Sequence, residues 1–283
     1  LPSGDAINSY LISNAVKEAG ITVALSGLGG DELFGGYPSS DVFRKRKWLS
    51  LLSVLSKFAG EEAISRIVAQ SPIQRQKMSQ LLRGKQTSGE IVAALRQVLS
   101  PNQIESLLNN TLTNFNSSLN FGGSWHGSGE NGITYYELVN YTIPLLLKDT
   151  DQMSMAHALE VRVPFLDHHF IADVAATKSN VRFGSGKFPK SGLVEAFKPL
   201  IPDYISNKSK TGFTLPMDQW MRNELKTFTE GGLFDSPLKK TLNRKIIESL
   251  WNQFLDNDPS TTWSRIWTLA VLGHWLNEQK LNL

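Results

Sequence analysis

Ile21-Thr22-Val23-Ala24-Leu25-Ser26-Gly27-Leu28-Gly29-Gly30-Asp31-Glu32-Leu33-Phe34-Gly35-Gly36-Tyr37 is the stretch whose reading decides the fold. Residues 21–25 are β-branched or apolar and read as a buried strand. The glycines that follow form a turn where the backbone can take positive φ and a ligand can approach it closely. Asp31 and Glu32 then open a short helix, where acids are favoured. Strand, glycine turn and helix N-terminus together suit a phosphate group, and the two carboxylates suit a divalent metal. The spacing is neither of the common glycine loops. Glu32 stands where a dinucleotide fingerprint needs its third glycine, and no Gly-Lys-Ser/Thr follows as in a P-loop. Spacing alone supports phosphate or nucleotide binding, and leaves open a plain glycine-rich connector whose acids cap a helix.

Upstream of the strand, Leu11, Ile12, Ala15, Val16 and Ala19 fall on one helical face that Gly20 ends. Residues 1–45 therefore read as part of a nucleotide-binding α/β core. From 46 to 118 the chain carries helix-spaced apolar residues between short breaks and reads as a helical insertion, with helices near 48–58, 61–70, 72–82, 89–99 and 102–110. Residues 119–132, rich in Gly, Ser and Asn, read as a loop. Residues 133–283 read as further helices, at 134–147, 167–176, 190–197, 217–229, 244–255 and 263–277. The fold class expected is α/β, predominantly helical in this chain. One strand cannot make a sheet, so its neighbours are expected outside this sequence.

The formal charge of +3 is mild, and the basic residues are scattered. Arg44-Lys45-Arg46-Lys47 is the one cluster; it could meet nucleic acid but reads as a solvated helix face. There is no run of 18 apolar residues and no signal-peptide pattern. No nucleic-acid or membrane partner is expected, and the expected location is cytoplasmic. With no cysteine, disulfides, zinc–thiolate sites and a cysteine nucleophile are excluded within this sequence.

Three blocks in order carry a family resemblance. The first is Ser26 to Tyr37. The second runs Leu145-Leu146-Leu147-Lys148-Asp149-Thr150-Asp151-Gln152-Met153-Ser154-Met155-Ala156-His157-Ala158-Leu159-Glu160-Val161-Arg162-Val163-Pro164-Phe165-Leu166-Asp167. The third is Lys208-Ser209-Lys210-Thr211-Gly212-Phe213, followed by Pro216 and Trp220. Together they resemble the C-terminal synthetase domain of glutamine-hydrolysing asparagine synthetases. The resemblance implies a partial adenine-nucleotide alpha-hydrolase-like (Rossmann-like) domain. It implies ATP and Mg²⁺ as cofactors, and aspartate, ATP and ammonia from a glutaminase domain as small-molecule partners. A homodimer is carried as a further expectation.

The implied reaction activates the aspartate β-carboxylate as an acyl-adenylate, releases pyrophosphate, and lets ammonia displace AMP. The resemblance assigns Ser26, Gly27, Gly29, Gly30, Asp31, Tyr37 and Asp151 to ATP, and Asp31 with Glu32 to the metal. Glu32 is equally read as a helix cap. Lys210 matches the lysine that neutralises phosphate charge, with Lys208 and Lys187 as weaker auxiliary cations. Glu160 and Arg162 join the catalytic wall; a helix running through Ala158 would place them before Pro164, where they could also form a structural ion pair.

Two residues depart from the family pattern. Leu28 replaces a glutamate common between the two glycines, and Gln152 replaces an arginine after Asp151. Both unsettle aspartate as the acceptor. The family's first nucleotide loop, Ser-Gly-Gly-x-Asp-Ser, and its N-terminal glutaminase cysteine do not occur in this sequence. The chain is therefore expected to be a truncated piece, inactive alone. Two rivals stand beside asparagine synthesis. One is an adenylating relative acting on another acceptor, as in β-lactam formation or amidation of a sugar or peptide. The other is a non-catalytic helical interaction module.

Overall fold

The computed structural model describes residues 4–108, 129–184, 190–202, 204 and 215–281. Lys187, Lys208 and the block containing Lys210 lie outside the described residues, as do residues 119–128 of the expected loop.

The first helix, α1 (Gly4–Glu18), leads through Gly20 into strand β1 (Val23–Leu25). The glycine turn follows, then the short helix α2 (Gly30–Phe34). Next come α3 (Pro38–Arg44), α4 (Arg46–Ala59), α5 (Glu61–Val68), α6 (Pro72–Arg83), α7 (Ser88–Arg96) and α8 (Pro101–Leu107). Local chemistry sets these boundaries. Ser71 with Gln74, Thr87 with Glu90 and Ser100 with Gln103 each form a reciprocal capping box, and Pro72 and Pro101 occupy first-turn positions. Each box satisfies two otherwise orphaned backbone donors, and its cap residue is worth about 1 kcal/mol.

The expected helix at 134–147 is longer and less regular than its periodicity predicts. It starts as α9 (Asn131–Glu137), widens into a π-helical stretch (Leu138–Leu147) that contains Pro144, and continues as α10 (Lys148–Met155). Proline has no N–H to donate to the preceding turn, and a wider turn accommodates that loss.

The second block departs from the expected helix. α10 stops at Met155, Ala158 takes a left-handed φ of 49°, and Glu160–Arg162 forms a second strand, β2. β2 runs parallel to β1, pairing Val23 with Glu160, Ala24 with Val161 and Leu25 with Arg162. The ladder extends at both ends: Glu160 N–H donates to Thr22 at 3.0 Å, and Ser26 N–H donates to Arg162 at 2.8 Å. Three residues with charged ends carry no strand period, so only pairing with a distant partner makes them one. α1 packs against α10, and Lys17 Nζ donates to the Ala158 carbonyl at 2.9 Å. Helix, strand, helix and strand thus form one α/β unit.

After β2 come a single 3₁₀ turn (Pro164–Leu166) and α11 (His168–Ala176). Asp167 caps α11 by accepting from the N–H groups of His169 and Phe170, and those bonds hold its carboxyl below the usual range. Next are α12 (Ser179–Arg182), α13 (Ser191–Ala196), α14 (Met217–Arg222), α15 (Lys226–Phe234), α16 (Leu238–Thr241), α17 (Arg244–Leu255) and α18 (Trp263–Glu278). The helix expected at 217–229 is broken at Asn223 (φ −121°, ψ −94°) into α14 and α15.

Among the described residues, three apolar groupings hold these pieces. Phe43, Leu49, Leu81, Leu82, Ile91 and Ile133 are among those joining α3, α4, α6 and α7 to α9. Leu107 of α8 enters the C-terminal grouping with Met221, Trp251, Phe254 and Ile266. The smallest, Leu33, Phe34 and Val174 with Phe165, Ile171 and Leu193, lies beneath the glycine motif. Fully buried Leu33 contributes about 2 kcal/mol and anchors α2.

Candidate functional site at the C-terminal ends of the paired strands

In an open parallel α/β arrangement, ligands gather where the strands end. β1 ends at Leu25 and β2 at Arg162, and the glycine turn begins there. The backbone bond between Ser26 and Arg162 joins the first and second sequence blocks directly. Ser26 Oγ accepts the Leu28 N–H at 3.2 Å, which folds the turn over its own start.

The glycines do not all do the same thing. A Cβ added at Gly27 would meet nothing within 4 Å, so this backbone is open to a ligand. Gly29 lies at φ +97°, and a Cβ there would come within 2.6 Å of Leu166 and 3.1 Å of Phe165. Gly30 faces the Phe165 ring at 3.7 Å. The second block therefore fills the space that Gly29 and Gly30 leave, instead of leaving it to a ligand. Gly36 does the same for Asp31, whose Oδ1 occupies the space a Cβ would need.

The two acids also part company. Asp31 is partly exposed and ion-paired with Lys190, Oδ1 to Nζ 3.3 Å. Lys190 has a left-handed φ of 59° ahead of α13, and the sequence offers no motif around it that marks it as a site residue. Glu32 is buried. Its Oε1 accepts from Tyr37 at 3.0 Å and from the Thr142 hydroxyl, and its carbonyl accepts from Thr134 at 3.0 Å. Thr142 sits on the π-helical stretch, whose irregular turn brings it to Glu32.

Tyr37 is likewise held inside. Its ring meets Tyr141 edge-on, and the Arg96 guanidinium lies 4.1 Å from the Tyr37 centroid and 3.5 Å from that of Tyr141. Arg96 is bonded to Glu137 at 2.8 Å, while Tyr141 donates to Asp5 at 3.2 Å. Burial, then Asp5, pushes the Tyr141 phenol up to about 12. Burial and Glu32 drive Tyr37 higher still. Burial opposes the charge on Arg96, but Glu137 and the two phenols carry its pKa upward. Under the motif, the buried Arg182 donates to Asn131 at 2.7 Å and to Thr134 at 3.0 Å, and burial lowers its pKa to about 10. None of Lys190, Thr142, Arg96 and Arg182 was legible as part of the site. Each joins it through a contact across many residues of chain.

Glu160 and Arg162, two apart on a strand, share a face and bond to each other at 2.7 Å in an exposed ion pair. Asp151 is exposed on α10. That helix packs against α1 and β2.

The model of the family described as asparagine synthase matches residues 3–277. The chain belongs to the asparagine synthase family.

Asparagine synthetase [glutamine-hydrolyzing] 1 of Bacillus subtilis is 26% identical over 279 residues, covering 95% of this chain and 42% of that protein. A putative asparagine synthetase [glutamine-hydrolyzing] of Mycobacterium tuberculosis is 26% identical over 207 residues, covering 71% and 31%. Amidase chry2 of Gibberella zeae is 24% identical over 253 residues, covering 78% and 36%. The chain thus spans less than half the length of these relatives. No solved structure matches it significantly. Membership places the chain in a ligase family that uses ATP. No described helix is long and apolar enough to cross a membrane.

An asparagine synthase site has to accommodate a nucleotide. Here the open backbone at Gly27, the Ser26 hydroxyl and the Asp31–Lys190 pair fit a polyphosphate. Among the described residues, no group of three His, Cys, Asp or Glu could hold a metal by itself. A single carboxylate at Asp31 fits Mg²⁺ only where phosphate oxygens and water supply its other ligands.

Proposed function

We propose that this chain is the C-terminal synthetase portion of an enzyme that forms an amide by adenylating a carboxylate with ATP. The observation that carries the reading is the turn at the strand ends: open at Gly27 and flanked by a partly exposed ion pair, Asp31 and Lys190. ATP supplies the adenylyl group. A carboxylate oxygen of the acceptor bonds to the α-phosphorus as the bond to the β-phosphate breaks and pyrophosphate leaves. The amine nitrogen then bonds to the acyl carbon, AMP departs with its oxygen, and the nitrogen loses a proton.

Ser26 and Gly27 take the nucleotide, by hydroxyl and by backbone approach. Asp31 would hold Mg²⁺, which would stabilise the charge on the departing pyrophosphate, and Lys190 takes phosphate charge beside it. Lys210 is the second phosphate cation. Arg162, beside Leu25, and Glu160 wall the pocket with Asp151. Gly29, Gly30, Glu32 and Tyr37 act through shape and support, because their contacts are with protein. Fixed charges aimed at a leaving group typically contribute a hundredfold or more in rate.

Asparagine from aspartate and ammonia is the leading product. Leu28 favours a second reading within the same chemistry, a different acceptor, because leucine cannot take the proton shed by the attacking amine. Pyrophosphate release by the full-length protein, measured across aspartate and other carboxylates, separates the two. Asp31→Asn should lower it about a hundredfold while leaving the melting temperature nearly unchanged. Full activity in that variant, or no carboxylate-dependent release in the wild type, would count against adenylation.

A further inference from the structure

The basic cluster at residues 44–47 and the helix behind it are not used by the proposed reaction. α4 packs chiefly on α3, α5 and α6, all within the insertion. Its inner face, with Leu49 and Ser56 buried, does this packing. Its outer face carries Trp48, Leu51, Val54, Leu55 and Phe58, spaced three and four apart and so aligned in one stripe. Trp48 is 71% exposed and Phe58 87%. α5, packed beside α4, also exposes Ile67, at 80%. A contiguous exposed apolar stripe marks a surface that something covers.

The charges beside the stripe indicate what kind of surface. Arg44 is bonded to Asp41, and Arg46 stacks on Phe43. Lys45 and Lys47 are exposed and make no ion pair among the described residues. Trp48 sits directly after them. An apolar stripe along one helix, a tryptophan at its border and free lysines beside it match an anionic lipid interface. Acyl chains would take the stripe, headgroups would pair with the lysines, and the indole would lie between. A lipid surface also needs no shape complementarity from a convex helix.

We propose that the outer face of α4 seats the protein on an anionic membrane surface, as a peripheral contact rather than a span. The test is co-sedimentation of the full-length protein with vesicles of phosphatidylcholine containing phosphatidylglycerol, against phosphatidylcholine alone. Binding to the anionic vesicles should weaken as salt rises. Neutralising Lys45 and Lys47 together (K45Q/K47Q) should weaken it about fivefold per cation. Trp48→Glu with Phe58→Glu should abolish it while thermal melting is unchanged, since both side chains are in solvent.

Three results would overturn the proposal. The first is absence of sedimentation with anionic vesicles, as expected if the rest of the chain covers the stripe. The second is salt-sensitive binding that survives W48E/F58E. The third is a dimer, seen by light scattering, that W48E/F58E dissolves.

Discussion

Ser26–Leu28 and Gly29–Tyr37 are consecutive halves of one motif, yet they face opposite surroundings. The first half is open: Gly27 has empty space where a side chain would go. The second half is packed: Leu166, Phe165, Phe183 and Asp31 fill the space left by Gly29, Gly30, Gly35 and Gly36. Adjacent acids repeat the contrast, since Asp31 faces Lys190 near solvent and Glu32 is bonded inside to Tyr37 and Thr142. A glycine-rich string is thus two devices in series, an open turn and a close-packed brace that holds it. The brace joins the sequence blocks, because Leu166 and Phe165 belong to the second block and Thr142 to the helix leading into it.

The contrast can be broken by substitution. Gly29→Ala should be the most damaging change. It adds the cost of a left-handed alanine to a clash with Leu166, about 4 kcal/mol in all by chemical denaturation. Glu32→Ala should cost about 3 kcal/mol, since it opens a cavity and strands two buried hydroxyls. If Glu32 instead served mainly the metal, stability would hold and pyrophosphate release alone would fall. Gly27→Ala should change stability by less than about 0.5 kcal/mol while raising the KM for ATP. A large loss of stability there would erase the distinction between the halves.

The subtlest probe is pH. Tyr141 is raised from 10.0 to about 12, so its neutral form is favoured by the fold. Its contribution is complete below pH 10 and is lost as pH rises from 10 toward 12. Absorbance at the tyrosinate band should show late-titrating phenols that Tyr141→Phe reduces. That variant should also flatten the alkaline loss of stability.

Local features were legible wherever the signal is short-range. Helix faces between residues 46 and 107 follow their apolar spacing, and in the structure Ser71, Thr87 and Ser100 fix where α6, α7 and α8 begin. β1 is readable as a strand because Ile21 to Leu25 are apolar or β-branched, but it is not the buried strand expected: it spans Val23–Leu25, and Ile21, Val23 and Leu25 are exposed. β2 was not readable: Glu160-Val161-Arg162 is too short for alternation and lies beside a strand 137 residues earlier. The glycine turn was legible as a candidate site, but which glycines lie open was not, because that depends on where Phe165 and Leu166 come to rest. Lys190 was invisible for the same reason, carrying no motif and reaching Asp31 only through the fold.

The sequence by itself determined the family, the position of the candidate site after β1, and most helix boundaries, since these rest on residue identity and near-neighbour hydrogen bonds. Only the tertiary structure decided which half of the motif is open and which acid is buried. It also decided that residues 160–162 pair as a strand, and that a π-helical stretch carries Thr142 to Glu32. Those outcomes depend on which side chains occupy the same volume, and close packing between segments far apart in the chain sets that.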